Sequence, residues 1–445
     1  MRAAAEACHA PAQNRMPLHS TPIMTKSLDQ KLAALASNPQ ADVFILADAK
    51  DADMAFGIGA PGRSPEYYGS SGEARFRTVP EWVELIRQIV HQQAVDIMLL
   101  SCYLADQLAR EGLFENSPVT PAARANDTTD IWAVRHGTYI REPSRPFATA
   151  TIDLIQCGLV NCPPDQRGER ANVNLGLYSM TFNNVLDHDH LSLERYKAFR
   201  IEAQQKQFRH FLEVFDPNAP RGFDPDAARR PEQIAQFVND HICRTLAGVP
   251  QSARPVFLKI VYHGPAHLEE LVRYDPSMVV GILGGSAGTT RDAFQLIHDA
   301  RRHGAKVALF GRKINNAENQ LAFIRFLRLI ADGQIDPVEA VRAYHGVLQG
   351  LRITPRRTLD QDLLITDQAM SYGGTSTSAV VQGSRPAAGK PAPAAAATPT
   401  QPGAGPHAQA ARGGKGTVGP TAPALASMSP EQRLAYHLAR IRGKA

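Results

Sequence analysis

Between about Asp29 and Leu351, short apolar and often β-branched runs alternate with longer stretches whose apolar positions recur every three or four residues. The first pattern predicts strands over Val43–Ala47, Val95–Ser101, Thr149–Gln156, Asn174–Met180, Phe211–Phe215, Val256–Tyr262, Met278–Leu283 and Lys306–Phe310. The second predicts helices over Pro80–Gln93, Leu191–Arg209, Pro231–Leu246, Thr289–His303 and Ala317–Asp332. Near-continuous apolar strands separated by helices imply parallel strands covered on both faces. Eight of them in one series predict an α/β fold, a (β/α)8 TIM barrel over residues 29–355, with insertions after the second and fourth strands. The competing open, doubly wound sheet would want a glycine-rich phosphate turn after its first strand. Gly57-Ile-Gly59-Ala-Pro61-Gly62 is a poor version of one.

The two ends break the pattern. Residues 1–28 carry Ala, Pro and His without a continuous apolar run; they read as a disordered segment rather than a secretory signal, and Met16 or Met24 is an alternative start. Residues 373–427 are dominated by Ala, Pro, Gly, Ser and Thr, too little apolar surface to offset ordering, and predict a flexible linker. Residues 428–445 predict a short amphipathic helix. Ser429-Pro430-Glu431-Gln432 forms its start, Leu434, Leu438 and Ile441 its apolar stripe, and Arg433, Arg440, Arg442 and Lys444 its basic surround. So short a helix is marginal alone and is expected to fold on a partner.

Composition narrows the class. The 445 residues are 43% hydrophobic and 20% charged, enough for an ordinary core, and the mean hydropathy is −0.26. No apolar run approaches the roughly 18 residues of a membrane span. Lys and Arg exceed Asp and Glu by only five, with the arginines scattered, which argues against a nucleic-acid partner. Five cysteines without paired spacing fit a reducing, cytoplasmic setting.

Two segments carry candidate chemistry. Val279-Val-Gly-Ile-Leu-Gly284-Gly285-Ser286-Ala-Gly288 and Lys306-Val-Ala-Leu-Phe-Gly311-Arg312 each run from a strand straight into glycine. Glycines let successive N–H groups converge on one anion, Ser286 adds a hydroxyl, and Arg312 can grip a phosphate with two parallel bonds. In a barrel these would be strands seven and eight, where phosphate is commonly held. The plainer reading is two glycine-ended strands and a surface arginine. In Phe257-Leu258-Lys259-Ile260-Val261 a lysine lies inside an apolar strand, so it can point into the barrel. Burial there disfavours the ammonium and leaves some amine to attack a carbonyl. Alternatively Lys259 is a structural partner of a carboxylate, for which Glu213 on strand five and Asp48 at the end of strand one are the candidates.

Taken together, these residues resemble the class I, Schiff-base aldolases of the tagatose-bisphosphate and archaeal-type fructose-bisphosphate families. The resemblance runs from about Asp42 to Tyr344 and is most specific over Val256–Ile314. It implies an imine-forming lysine at Lys259, with Asp48 and Glu213 as catalytic carboxylates. It also implies a phosphate site at Gly284, Gly285, Ser286, Gly311 and Arg312. A phosphorylated ketose as substrate, no cofactor or metal, and a homo-oligomer follow from the same resemblance. Where those relatives carry a lysine on strand four, this chain has Tyr178, read either as a catalytic hydroxyl or as core. Lys50 either lowers the pKa of the imine lysine by like charge, or binds a second phosphate of the substrate, or sits in solvent. The polar segment from Ser117 to Trp132 has no counterpart and reads as an insertion. Transaldol transfer or isomerisation at the same site, and a non-catalytic sugar-phosphate-binding barrel, are the alternatives.

Other signals weigh less. Asp187-His188-Asp189-His190 has metal-ligand residue types, but adjacent residues seldom converge on one ion. Of the histidines, His263 alone lies near a predicted strand end. Cys157 and Cys162 are wrongly spaced for a Cys-x-x-Cys redox pair. The C-terminal helix resembles the encapsulation peptides that load enzymes into bacterial microcompartment shells; a generic protein dock or an oligomer contact is the other reading.

Overall fold

The computed structural model describes residues 25–64, 75–224, 230–285 and 288–367. The predicted linker and tail helix, most of the N-terminal segment, and Ser286 lie outside these residues.

Eight parallel strands close into a barrel in the order of the chain. We number them β1 (Ile45–Lys50), β2 (Ile97–Leu100), β3 (Thr120–Arg124), β4 (Leu175–Thr181), β5 (Arg209–Phe215), β6 (Leu258–Ile260), β7 (Val280–Gly284) and β8 (Val307–Phe310). Alternation sends every second side chain inward. Ile45, Ala47, Leu99, Ala122, Leu177, Phe211, Phe257 and Leu309 fill the interior. Leu46, Met98, Leu100, Tyr178, Leu212, Ile260 and Phe310 face the helix layer. The bottom is plugged by the helix Ser27–Ser37, whose Leu28 and Leu35 join the interior cluster. Among the described residues no helix is long and apolar enough to cross a membrane.

The third strand is not where the sequence pattern put it. Residues 149–156 contribute the helix Ile152–Cys157 instead: the Thr151 hydroxyl accepts from Leu154 N at 3.3 Å, and Gly158 closes the helix at φ +70°. Ile152, Ile155 and Gln156 form its buried face at helical spacing. The true β3 is Thr-Pro-Ala-Ala-Arg, inside the segment that reads as a polar insertion. Its proline and two alanines give no strand signal. The long excursion therefore follows β3 rather than β2. It contains a short antiparallel pairing of Asp127–Thr128 with Pro146–Phe147, and Trp132 stacks on Phe147 at 5.2 Å. The β4–β5 connection, where a second insertion is expected, is built around one helix, Leu186–Gln205.

Register aligns Ser179, Glu213, Lys259, Gly281 and Val307 across β4 to β8. Gly281 is forced by crowding in that row, because a Cβ there would stand 2.6 Å from the Leu258 carbonyl oxygen and 2.7 Å from the Val307 Cβ. Gly281→Ala should therefore destabilise the barrel by about 2 kcal/mol or more. Urea unfolding measures this, and an unchanged midpoint would show that the row is not close-packed.

Candidate active site

Parity decides which polar side chains meet. On β4 the inward positions include Leu175, Leu177 and Ser179; on β5, Phe211 and Glu213; on β6, Phe257 and Lys259. Lys259 Nζ lies 2.6 Å from Glu213 Oε1, with the two side chains 8% and 1% exposed. The second carboxylate oxygen accepts from the Ser179 hydroxyl at 2.7 Å and lies 3.6 Å from Arg124 Nη2. Arg124, at the end of β3, also donates to Ser179 Oγ at 3.0 Å and to Asp51 Oδ2 at 2.7 Å. Asn126 clamps the Ser179 backbone, accepting from its N–H at 2.6 Å and donating to its carbonyl at 2.9 Å. A continuous polar belt, Asp51–Arg124–Ser179–Glu213–Lys259, thus crosses the mouth of the barrel. Burial disfavours the Arg124 charge, but Asp51, Glu213 and Asp127 more than offset it and hold its pKa above the ordinary guanidinium value.

Two expected catalytic residues and the expected binding lysine are turned away from this belt. Tyr178 faces the helices and packs on Tyr196 at 5.0 Å and Phe199 at 4.5 Å, and burial raises its pKa. It is core. Asp48 and Lys50 fall on the outward face of β1 and pair with each other at 2.9 Å, both fully buried. Lys50 also donates to Asn315 at 2.6 Å and Gln320 at 3.1 Å, in the helices after β8. Asp48 and Asp51 are three residues apart, so a strand cannot aim both inward. Asp51 is the carboxylate that joins the belt.

At the strand-eight end, the Arg312 guanidinium has no hydrogen-bond partner among the described residues. Its guanidinium carbon lies 5.8 Å from the centre of the Phe56 ring. Burial pulls its pKa down, and the Glu213 charge counters this, so the arginine is electrostatically in touch with the belt. The Gly285 backbone is open, with nothing within 4 Å of where a Cβ would stand, whereas Gly284 is packed against Phe310. A Cβ on Gly311 would meet the Ala49 carbonyl oxygen at 2.9 Å. An anion could therefore be held between Gly285 and Arg312.

Several mouth residues had no sequence signal. Arg124, Asn126 and Asp127 lie in the segment whose strand the hydrophobic pattern misses, and only their position after β3 makes them legible. Asp216 and His263 follow β5 and β6 and pair at 2.9 Å through Nε2, leaving the buried Nδ1 without a partner among the described residues. Asp189, from the possible metal motif, accepts from Asn183 N at 2.8 Å and Val185 N at 3.1 Å, and so caps the turn into the Leu186–Gln205 helix. Among the described residues no cluster of three potential ligands could hold a metal ion.

No family model matches the chain, and neither does any curated protein sequence. Among solved structures, a fructose-bisphosphate aldolase from Slackia heliotrinireducens is similar at 15% identity over 71% of this chain and 89% of that one, with a TM-score of 0.50. An archaeal fructose 1,6-bisphosphate aldolase matches at 12% identity over 68% and 99%, with a TM-score of 0.45. At such identities the likeness is one of fold alone, a (β/α)8 barrel.

Burial pushes the carboxyls of Asp53 and Asp127 up to about 6, with Asp51 adding like charge at both. Ser101, donating to Asp53 at 2.6 Å, and Arg124, beside Asp127, only partly counter this. Raised folded-state values mean that the folded protein binds more protons than the unfolded chain between about pH 4 and 6, so stability falls as pH rises through that window. Asp127→Asn should consequently gain about 1–3 kcal/mol over the parent at pH 7.5 and almost nothing at pH 4. Thermal melts at both pH values check this; an equal shift at the two would rule out the ionisation penalty.

Proposed function

We propose that this protein is a class I aldolase-like lyase that cleaves a phosphorylated ketose reversibly through a Schiff base on Lys259. The observation that carries the reading is an inward lysine 2.6 Å from a buried carboxylate; an arginine guanidinium that is unpaired among the described residues, at the end of β8, supports it. Glu213 takes a proton from the Lys259 ammonium, and the amine adds to the substrate ketone to give a carbinolamine. Glu213 returns that proton to the carbinolamine hydroxyl, which leaves as water; the resulting iminium withdraws electrons from the adjacent carbon and Glu213 is again a carboxylate. Glu213, held in place by Ser179 and Arg124, then accepts the C4-hydroxyl proton as the C3–C4 bond breaks and the aldehyde leaves. Reprotonation of the enamine and hydrolysis release the ketone product and return the amine. Gly285 and Arg312 hold the phosphate, and Ser286, outside the described residues, would add its hydroxyl.

The fold supports the coarser statement, an aldolase-like barrel; the reaction rests on the site. The same ion pair would suit transaldol transfer or isomerisation, and a barrel that merely binds sugar phosphate could keep it as a structural contact. Trapping separates the Schiff-base reactions from the binding barrel, and product analysis separates aldol cleavage from transfer or isomerisation. Borohydride reduction with dihydroxyacetone phosphate should leave a stable adduct on Lys259, located by peptide mass spectrometry, and Lys259→Met should leave none. Glu213→Gln should slow trapping by about 10²-fold or more. An adduct on another lysine would move the site. Phosphate-dependent thermal stabilisation without any adduct would favour the binding protein.

A further inference from the structure

Beyond the loop that follows β7, on the helix side of the barrel, lies a cavity of about 300 Å³ lined in part by Gly288, Lys313, Glu318, Phe323, Arg356 and Arg357. Its charges do not balance locally. Among the described residues, Lys313 Nζ donates to the Gly288 carbonyl at 2.8 Å and has no carboxylate in contact, and Arg357 reaches only Asp362, at 4.0 Å. The nearby acids are already engaged. Glu318 accepts from Arg356 N at 3.0 Å and from the Tyr344 hydroxyl at 3.0 Å. Asp362 accepts from Thr290 N at 2.7 Å and pairs with His345 at 3.0 Å. Burial, and then the like charge of Arg357, push Lys313 down to about 8, against the smaller upward pull of Asp362, Asp292 and Glu318.

We propose that this cavity is a second anion site, distinct from the barrel mouth, which binds a small phosphomonoester between Lys313 and Arg357 with its carbon portion against Phe323. A dianionic phosphate matches two cations, and the arginine can present two parallel donors. The volume is at the lower end of small-molecule sites, room for a short-chain phosphate and too little for a nucleotide. Arg312 and Lys313 are neighbours with opposite duties: the first faces Glu213 and Phe56, the second the Gly288 carbonyl. The site does not depend on the aldolase reading.

Calorimetry on the full chain with inorganic phosphate and with glycerol 1-phosphate tests it. In an Arg312→Gln background, which removes the arginine assigned to the phosphate at the mouth, one binding event should persist. Adding Arg357→Gln, at a half-exposed position that the fold tolerates, should weaken it at least tenfold, and Arg357→Lys should recover part of it. In the unsubstituted protein, phosphate should slow acylation of Lys313 at pH 8. Loss of all binding in Arg312→Gln, binding indifferent to Arg357, or labelling of Lys313 unchanged by phosphate would each overturn the proposal.

Discussion

One carboxylate organises the mouth of this barrel. Glu213 is buried on β5, where an isolated charge would be very costly, and three neighbours make it tolerable: Lys259, Ser179 and Arg124. Each comes from a different strand, so the ion pair can exist only when β3 to β6 are in register. Arg124 is buried in turn and is made tolerable by Asp51 just past β1. Closure of the barrel and assembly of the site are thus the same event. Removing one member leaves an uncompensated charge rather than a mere gap.

A different economy governs the outer face of β1. Asp48 and Lys50 form an ion pair with no exposure, tied to Asn315 and Gln320 behind the short helix that begins at Arg312. Burial raises the Asp48 pKa and lowers that of Lys50, each partly held back by the other. The pair anchors the β8 exit, and so fixes where Arg312 can stand. These residues support the site from behind.

Much of this architecture was legible in the chain, because parallel strands buried on both faces must be apolar and seven of the eight announced themselves. The eighth, β3, is Thr-Pro-Ala-Ala-Arg. Small residues suffice where neighbouring strands and helices supply the bulk, and nothing local marks them as a strand. Lys259 and Glu213 were legible because a charge in an apolar strand is costly enough to need a reason. The facing of Asp48 and Tyr178 was not. Ile-Leu-Ala-Asp-Ala-Lys and Leu-Gly-Leu-Tyr-Ser-Met alternate no clear polarity, so the sequence leaves open which face of each strand turns inward. The positions that join the belt instead, Asp51 and Ser179, are an odd number of residues away.

Among the described residues, Lys259 is the one direct ion-pair partner of Glu213 Oε1, so the two stabilise the fold chiefly through each other. A double-mutant cycle on unfolding free energy measures this directly, using Lys259→Met, Glu213→Gln and the two together. A single substitution should cost about 3–5 kcal/mol, and the double variant should lose far less than the sum of the two. Strictly additive losses would contradict this coupling, since they would mean that each side chain is held by something other than its partner.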